Sequence, residues 1–171
     1  MLYVTPDGWL PGHTLLVEDA EGRQIARAAG EWFRYRKHVH MQQDENTASG
    51  PSEFILEKAF WTNTYKIMKA NKEPVFEITK SSFFRERYIF SVKGLSFELR
   101  KTGFMSRHFE LFRVDETQDD SRELIAQIQP TGFFSRSWEI EPLSPLPEWL
   151  QICVVLTCRI IYQQQAAAAG S

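Results

Sequence analysis

The chain has 171 residues, a formal net charge of −2, 43% hydrophobic and 13% aromatic residues. That size and apolar content predict one domain with a substantial core and exclude a disordered chain, while the near-neutral charge excludes a general nucleic-acid binder. The two cysteines, Cys153 and Cys158, stand five apart in an apolar segment, a spacing that on a helix points them away from each other, so buried free thiols are favoured over a disulfide.

From the N-terminus, Met1 to Pro11 lacks a basic stretch followed by an apolar one, so no secretory signal is expected. An internal repeat then begins. Shifted by 50, Thr14, Val17, Ala20, Ile25, Phe33 and Val39 fall on Thr64, Ile67, Ala70, Val75, Phe83 and Ile89. A third copy starts 43 residues after the second, with Phe54, Leu56, Lys58 and Trp61 on Phe97, Leu99, Lys101 and Phe104. Beyond the acidic insertion Asp115–Glu123 the shift returns to 50, and Val75, Ile78, Phe83, Phe84 and Tyr88 meet Ile125, Ile128, Phe133, Phe134 and Trp138. The repeats span about residues 4–41, 53–92 and 97–141.

Each unit reads as four short strands with period-two alternation. In the middle copy they are Glu53–Phe60, Thr64–Lys69, Pro74–Lys80 and Arg87–Val92, separated by polar turns such as Ala70–Glu73, which matches Asp19–Gly22 of the first copy. Gln42–Ser52 is a polar linking loop rather than a domain boundary. Three units of four strands predict a closed antiparallel β-barrel of about twelve strands.

Residues 146–162 break this pattern. Pro147 and Glu148 suit a helix start and Arg159 a last turn, and the apolar residues between them cover every face, which predicts a helix buried all round. The apolar run from Trp149 to Tyr162 is too short for a bilayer, which needs about twenty residues. A twelve-stranded barrel is wider than its own side chains can fill, and an α-helix about 10–12 Å across would plug it. Residues 1–162 are thus expected to form one domain, with 163–171 a low-complexity tail, disordered or left over from cloning.

The repeated strands, the terminal helix Trp149–Tyr162 and the segments Phe54–Phe60, Pro74–Ile78 and Leu124–Ile128 resemble the tubby C-terminal-like superfamily, closest to its phospholipid scramblase and LURP-one-related branch. The resemblance covers about residues 2–162 and implies a twelve-stranded barrel around a central hydrophobic helix. It also implies phosphoinositide binding, as in tubby members, or calcium-dependent lipid movement, as in scramblases. The stretch Glu141-Pro-Leu-Ser-Pro-Leu-Pro-Glu148 departs from the scramblase pattern, because it holds too few oxygen ligands for calcium.

Basic residues concentrate in one window: Lys80, Arg85, Arg87, Lys93, Arg100, Lys101, Arg107 and Arg113, against Glu86, Glu98 and Glu110, a local charge of +5. Phosphate is well served by arginine forks and lysine point charges, so these eight are the candidate lipid-binding residues, with Phe83, Phe84, Phe104 and Met105 among them to enter a lipid interface. The competing reading is ordinary solvated strand charge. The acidic residues Asp115, Glu116, Asp119 and Asp120 lack the spacing of a calcium loop, and His38 and His40 share a strand face without further ligands, so no metal site is expected. No serine stands in a nucleophile elbow and no glycine-rich phosphate loop occurs, so neither enzyme activity nor a cofactor is expected. The favoured function is a non-enzymatic module binding anionic, phosphoinositide-type lipid, cytoplasmic and monomeric, docked peripherally on the inner face of a membrane. A soluble protein-interaction scaffold and a scramblase relative are the alternatives.

Overall fold

The computed structural model describes residues 1–8, 14–31, 36–42, 51–59, 61–82, 85–103, 106–115, 121–132 and 135–169. Twelve strands precede one helix: β1 Leu2–Pro6, β2 Thr14–Asp19, β3 Gln24–Glu31, β4 Arg36–Met41, β5 Glu53–Lys58, β6 Thr64–Lys69, β7 Pro74–Lys80, β8 Arg87–Val92, β9 Leu95–Lys101, β10 Phe109–Asp115, β11 Ser121–Pro130, β12 Trp138–Pro142 and α1 Glu148–Ala169. Each strand pairs antiparallel with its sequence neighbours, and β1 closes the ring on β12 through Leu2–Ile140 and Val4–Trp138. Closure gives every strand two partners, with the β7–β8 seam the thinnest, paired only at Thr79–Ile89 and Lys80–Tyr88.

Alternation builds the lumen. On β1 Leu2 and Val4 are buried, on β2 Leu15 and Val17, on β9 Phe97 and Leu99, on β12 Trp138 and Ile140. Register shifts interrupt the ladder at Val17/Glu18, Ile67/Met68 and Leu111/Phe112, always in the second strand of a group of four. Such bulges sharpen local twist and help the sheet curl.

Helix α1 threads the barrel. Every residue from Trp149 to Ile161 is buried, including the polar Gln151, Thr157 and Arg159. Thr157 answers its own hydroxyl by donating to the Cys153 carbonyl at 2.8 Å, and the Gln151 amide donates to the Leu146 carbonyl at 2.8 Å. The helix lies nearest β12 and β1, so it sits off the barrel axis. Aromatic side chains of the opposite wall fill the wider gap: Phe76 stacks on Phe90 at 5.5 Å, Phe90 on Phe97 at 5.1 Å, and Phe76 meets Trp149 edge-on at 6.1 Å.

Two expectations are corrected here. The helix starts at Glu148 and runs to Ala169, seven residues past the expected end, so residues 163–169 are helical rather than a disordered tail. Alanine and glutamine are strong helix formers, and a run of them propagates an established helix. Arg159 therefore does not close the last turn; it lies inside the barrel, only 6% exposed.

Candidate functional site

Strand alternation decides which charges meet. Successive connections lie at opposite ends of an antiparallel barrel. Those after β1, β3, β5, β7, β9 and β11 share one end, where α1 emerges; those after β2, β4, β6, β8, β10 and β12 share the other, where α1 enters. Counting the described residues of each connection with the strand or helix residue on either side, the exit end carries eight basic and three acidic residues. By the same count the entry end carries four basic and six acidic described residues. The small net charge of the chain thus hides an excess of positive charge at the exit end.

The basic window divides accordingly. Lys80, Arg85, Arg87, Arg100, Lys101 and Arg107 belong to the exit half, whereas Lys93, in the β8–β9 turn, and Arg113, near the end of β10, belong to the entry end. Arg113 is bonded there to Glu123. Phe83, Phe84, Phe104 and Met105 lie outside the described residues, as do Glu116, Asp119 and Asp120.

Arg87 and Arg100 are committed elsewhere. Both grip Glu98 on the outer wall, with Arg122 of β11 as a third partner: Arg87 donates at 2.6 Å, Arg122 at 3.2 Å, and Arg100 closes the cage. Burial alone would raise the Glu98 carboxyl, but the three guanidiniums outweigh it and hold the group below the usual carboxylate range. Arg100 also stacks over Phe112, 5.0 Å from the ring centroid. These arginines brace β8, β9 and β11 across β10.

What remains at the exit end is a lysine-rich cleft of about 370 Å³ between β5–β8 and the emerging helix, lined by Lys58, Tyr65, Lys80, Glu86, Tyr88 and Gln164 among others. Lys80 donates to Glu86 at 2.6 Å, and Tyr88 donates to the same carboxylate at 2.6 Å. Burial would raise Glu86, but these bonds and the nearby Lys101 charge keep it low; burial and the bond to Glu86 push the Tyr88 phenol up, so it stays protonated. The Tyr65 hydroxyl donates to Gln164 at 3.0 Å and Lys101 to Gln165 at 2.6 Å, which ties the emerging helix to the rim. Burial lowers the Lys101 ammonium; Glu86 opposes the shift and the like charge of Lys80 adds to it. An anion placed in the cleft would relieve that repulsion.

Further round the rim Arg107 covers the Tyr162 ring at 4.7 Å and donates to the Ser135 carbonyl at 2.9 Å. Sequence reasoning missed Lys58, because its window began at Lys80, and missed the two interior cations. Lys37 and Arg159 are both buried and both lowered, Lys37 by burial and then by Arg159, Arg159 to about 10 by burial and then by Arg136. Their adjacency arises only once the helix is threaded through the sheet.

His40 meets Glu53 at 3.1 Å, and among the described residues no group of three or more histidine, cysteine or acidic side chains is placed to hold a metal ion. No described helix is long and apolar enough to cross a membrane. The outer wall bears paired charges such as Lys66–Glu77 and Arg36–Glu57, unlike the apolar band of a bilayer-spanning barrel. Compared with protein-family models, curated proteins and solved structures, the chain finds no match.

Proposed function

We propose that the protein is a non-enzymatic module that binds anionic phospholipid at a membrane surface, through the exit end of its barrel. The observation that carries this reading is the excess of positive charge at that end, eight basic residues against three acidic among the described residues. Each basic group near an anionic leaflet contributes about 1 kcal/mol, and the uneven charge of the two ends orients the approach. The Lys58–Lys80–Lys101 neighbourhood supplies the phosphate contacts, and the helix-filled lumen supplies rigidity rather than a substrate pocket. The barrel wrapped round an apolar helix also supports a tubby C-terminal-like assignment, and with it a cytoplasmic, peripheral location.

Co-sedimentation with vesicles tests the reading. Phosphatidylcholine vesicles containing phosphatidylinositol bisphosphate are expected to bind the protein, and phosphatidylcholine alone to bind it weakly. Binding should fall steeply with salt and drop about tenfold or more in a K58E/K101E variant. Equal binding to neutral and anionic vesicles, or none to either, rejects it.

A further inference from the structure

Two cations lie inside the barrel, Lys37 at 8% exposed and Arg159 at 6%. Alternation on β4 gives Lys37 and Val39 one inward face, and Lys37 lies opposite Gly30 of β3 at the exit end of the lumen. A Cβ at Gly30 would come within 2.2 Å of the Lys37 Nζ, so the missing side chain is what lets the ammonium lie across β3. On α1, Tyr162 meets Trp138, the first residue of β12, at 5.8 Å between ring centroids. Arg159 is three residues before Tyr162 and so on the same side of the helix, and Arg136 stands two residues before Trp138. Lys37, Arg159 and the exposed Arg136 are thereby gathered at one mouth, where Lys37 feels Arg159 as a like charge and Arg159 feels Arg136.

A charge taken out of water is stabilised only by opposite charge and by hydrogen bonds. Glu98, the buried carboxylate, is met by three arginines. The Arg159 guanidinium, among the described residues, has neither a hydrogen-bond nor an ion-pair partner. What its surroundings lack is a compact anion rich in acceptors. A tetrahedral oxyanion suits a guanidinium fork and an ammonium point charge together, and it offsets more than one positive charge at once. We propose that Lys37, Arg159 and Arg136 form an anion site at the exit mouth of the lumen, which takes the phosphate group of inorganic phosphate or of a phosphate monoester. Arg136 on the rim draws the ion in, and the two buried cations hold it. The site shares no residue with the Lys58–Lys80–Lys101 cleft and does not depend on the membrane reading.

The test is thermal unfolding of the full chain in a phosphate-free chloride buffer, against added sodium phosphate at matched ionic strength. Tm is expected to rise saturably, by about 5 °C or more once phosphate exceeds its Kd a hundredfold. R159M should weaken the phosphate response at least about tenfold in Kd, the factor one charge-assisted hydrogen bond supplies. Its Tm without phosphate should be no lower than wild type, because the substitution removes a buried charge that no described group answers. G30A is the second variant: its methyl group meets only the flexible end of Lys37, so the fold is kept while the ammonium moves, and Kd rises severalfold. K58E/K101E should respond to phosphate as wild type does. Soluble glycerophosphoinositol bisphosphate separates the two sources. Binding tighter than phosphate and weakened by R159M assigns the site to a headgroup; a response to phosphate alone assigns it to the free ion. No rise in Tm with either probe, a rise unchanged in both R159M and G30A, or one abolished by K58E/K101E overturns the proposal.

Discussion

Replacing Glu98 with glutamine tests whether the arginine cage on the outer wall is a structural brace. The Glu98 side chain is 1% exposed and accepts from Arg87, Arg100 and Arg122, whose own side chains are 39%, 38% and 27% exposed. Removing one partner of a fully buried charge network costs about 3–5 kcal/mol. Water reaches all three guanidiniums and screens the repulsion left behind, so about 2 kcal/mol is expected at neutral pH. That is a large share of a total stability of about 5–15 kcal/mol and should appear in urea unfolding as a lower midpoint at unchanged slope. The pH dependence follows from the lowered carboxyl. Its folded-state value lies below the ordinary 4.5, so the unfolded chain binds the extra proton first. The stability contributed by the ionised group is complete above the unfolded value and is lost as pH falls through the folded one. The gap between wild type and E98Q should therefore be flat from about pH 8 down to about pH 5.5 and narrow below about pH 4.5. A gap under about 0.5 kcal/mol at pH 7, or one indifferent to acid, would refute the brace.

Other substitutions probe the core and the turns. Leu156 is 1% exposed within the threaded helix, so L156A should cost about 3 kcal/mol in the same urea titration. Lys72 holds a left-handed backbone at φ 66°, where the repeat-equivalent Gly22 has φ 77°; K72G should stabilise by about 0.5 kcal/mol, read as a rise in Tm. Gly94 has φ 78° in the two-residue β8–β9 turn, and G94A should lower stability by about 1 kcal/mol with no change in vesicle binding.

Much of the architecture was legible because the lumen imposes alternation on strands such as β1, β2, β8 and β12. The expected bounds of Thr64–Lys69, Pro74–Lys80 and Arg87–Val92 coincide with β6, β7 and β8. The strand expected over Glu53–Phe60 stops at Lys58, because the Ala59 amide already turns back to the Thr64 carbonyl at 2.9 Å. The far end of α1 is hard to see in the sequence because the low complexity of the tail masks the helix propensity of its alanines and glutamines. The charge cluster was legible as a window but not as a site. Consecutive strands run in opposite directions, so proximity in sequence sends Lys93 and Arg113 to the end opposite Lys80 and Lys101. The Glu98 cage joins three strands, and no linear pattern marks residues that meet only through register.

The account depends above all on a helix enclosed by a sealed ring of strands, and its two cysteines report on that enclosure. Cys153 and Cys158 are fully buried on α1, and burial drives both thiols well above their usual range. An aromatic disulfide reagent added to the native protein should label both at one common rate, no faster than global unfolding and accelerated in parallel with it by urea. Prompt stoichiometric labelling of either cysteine, with circular dichroism unchanged, would contradict a helix held inside a closed barrel.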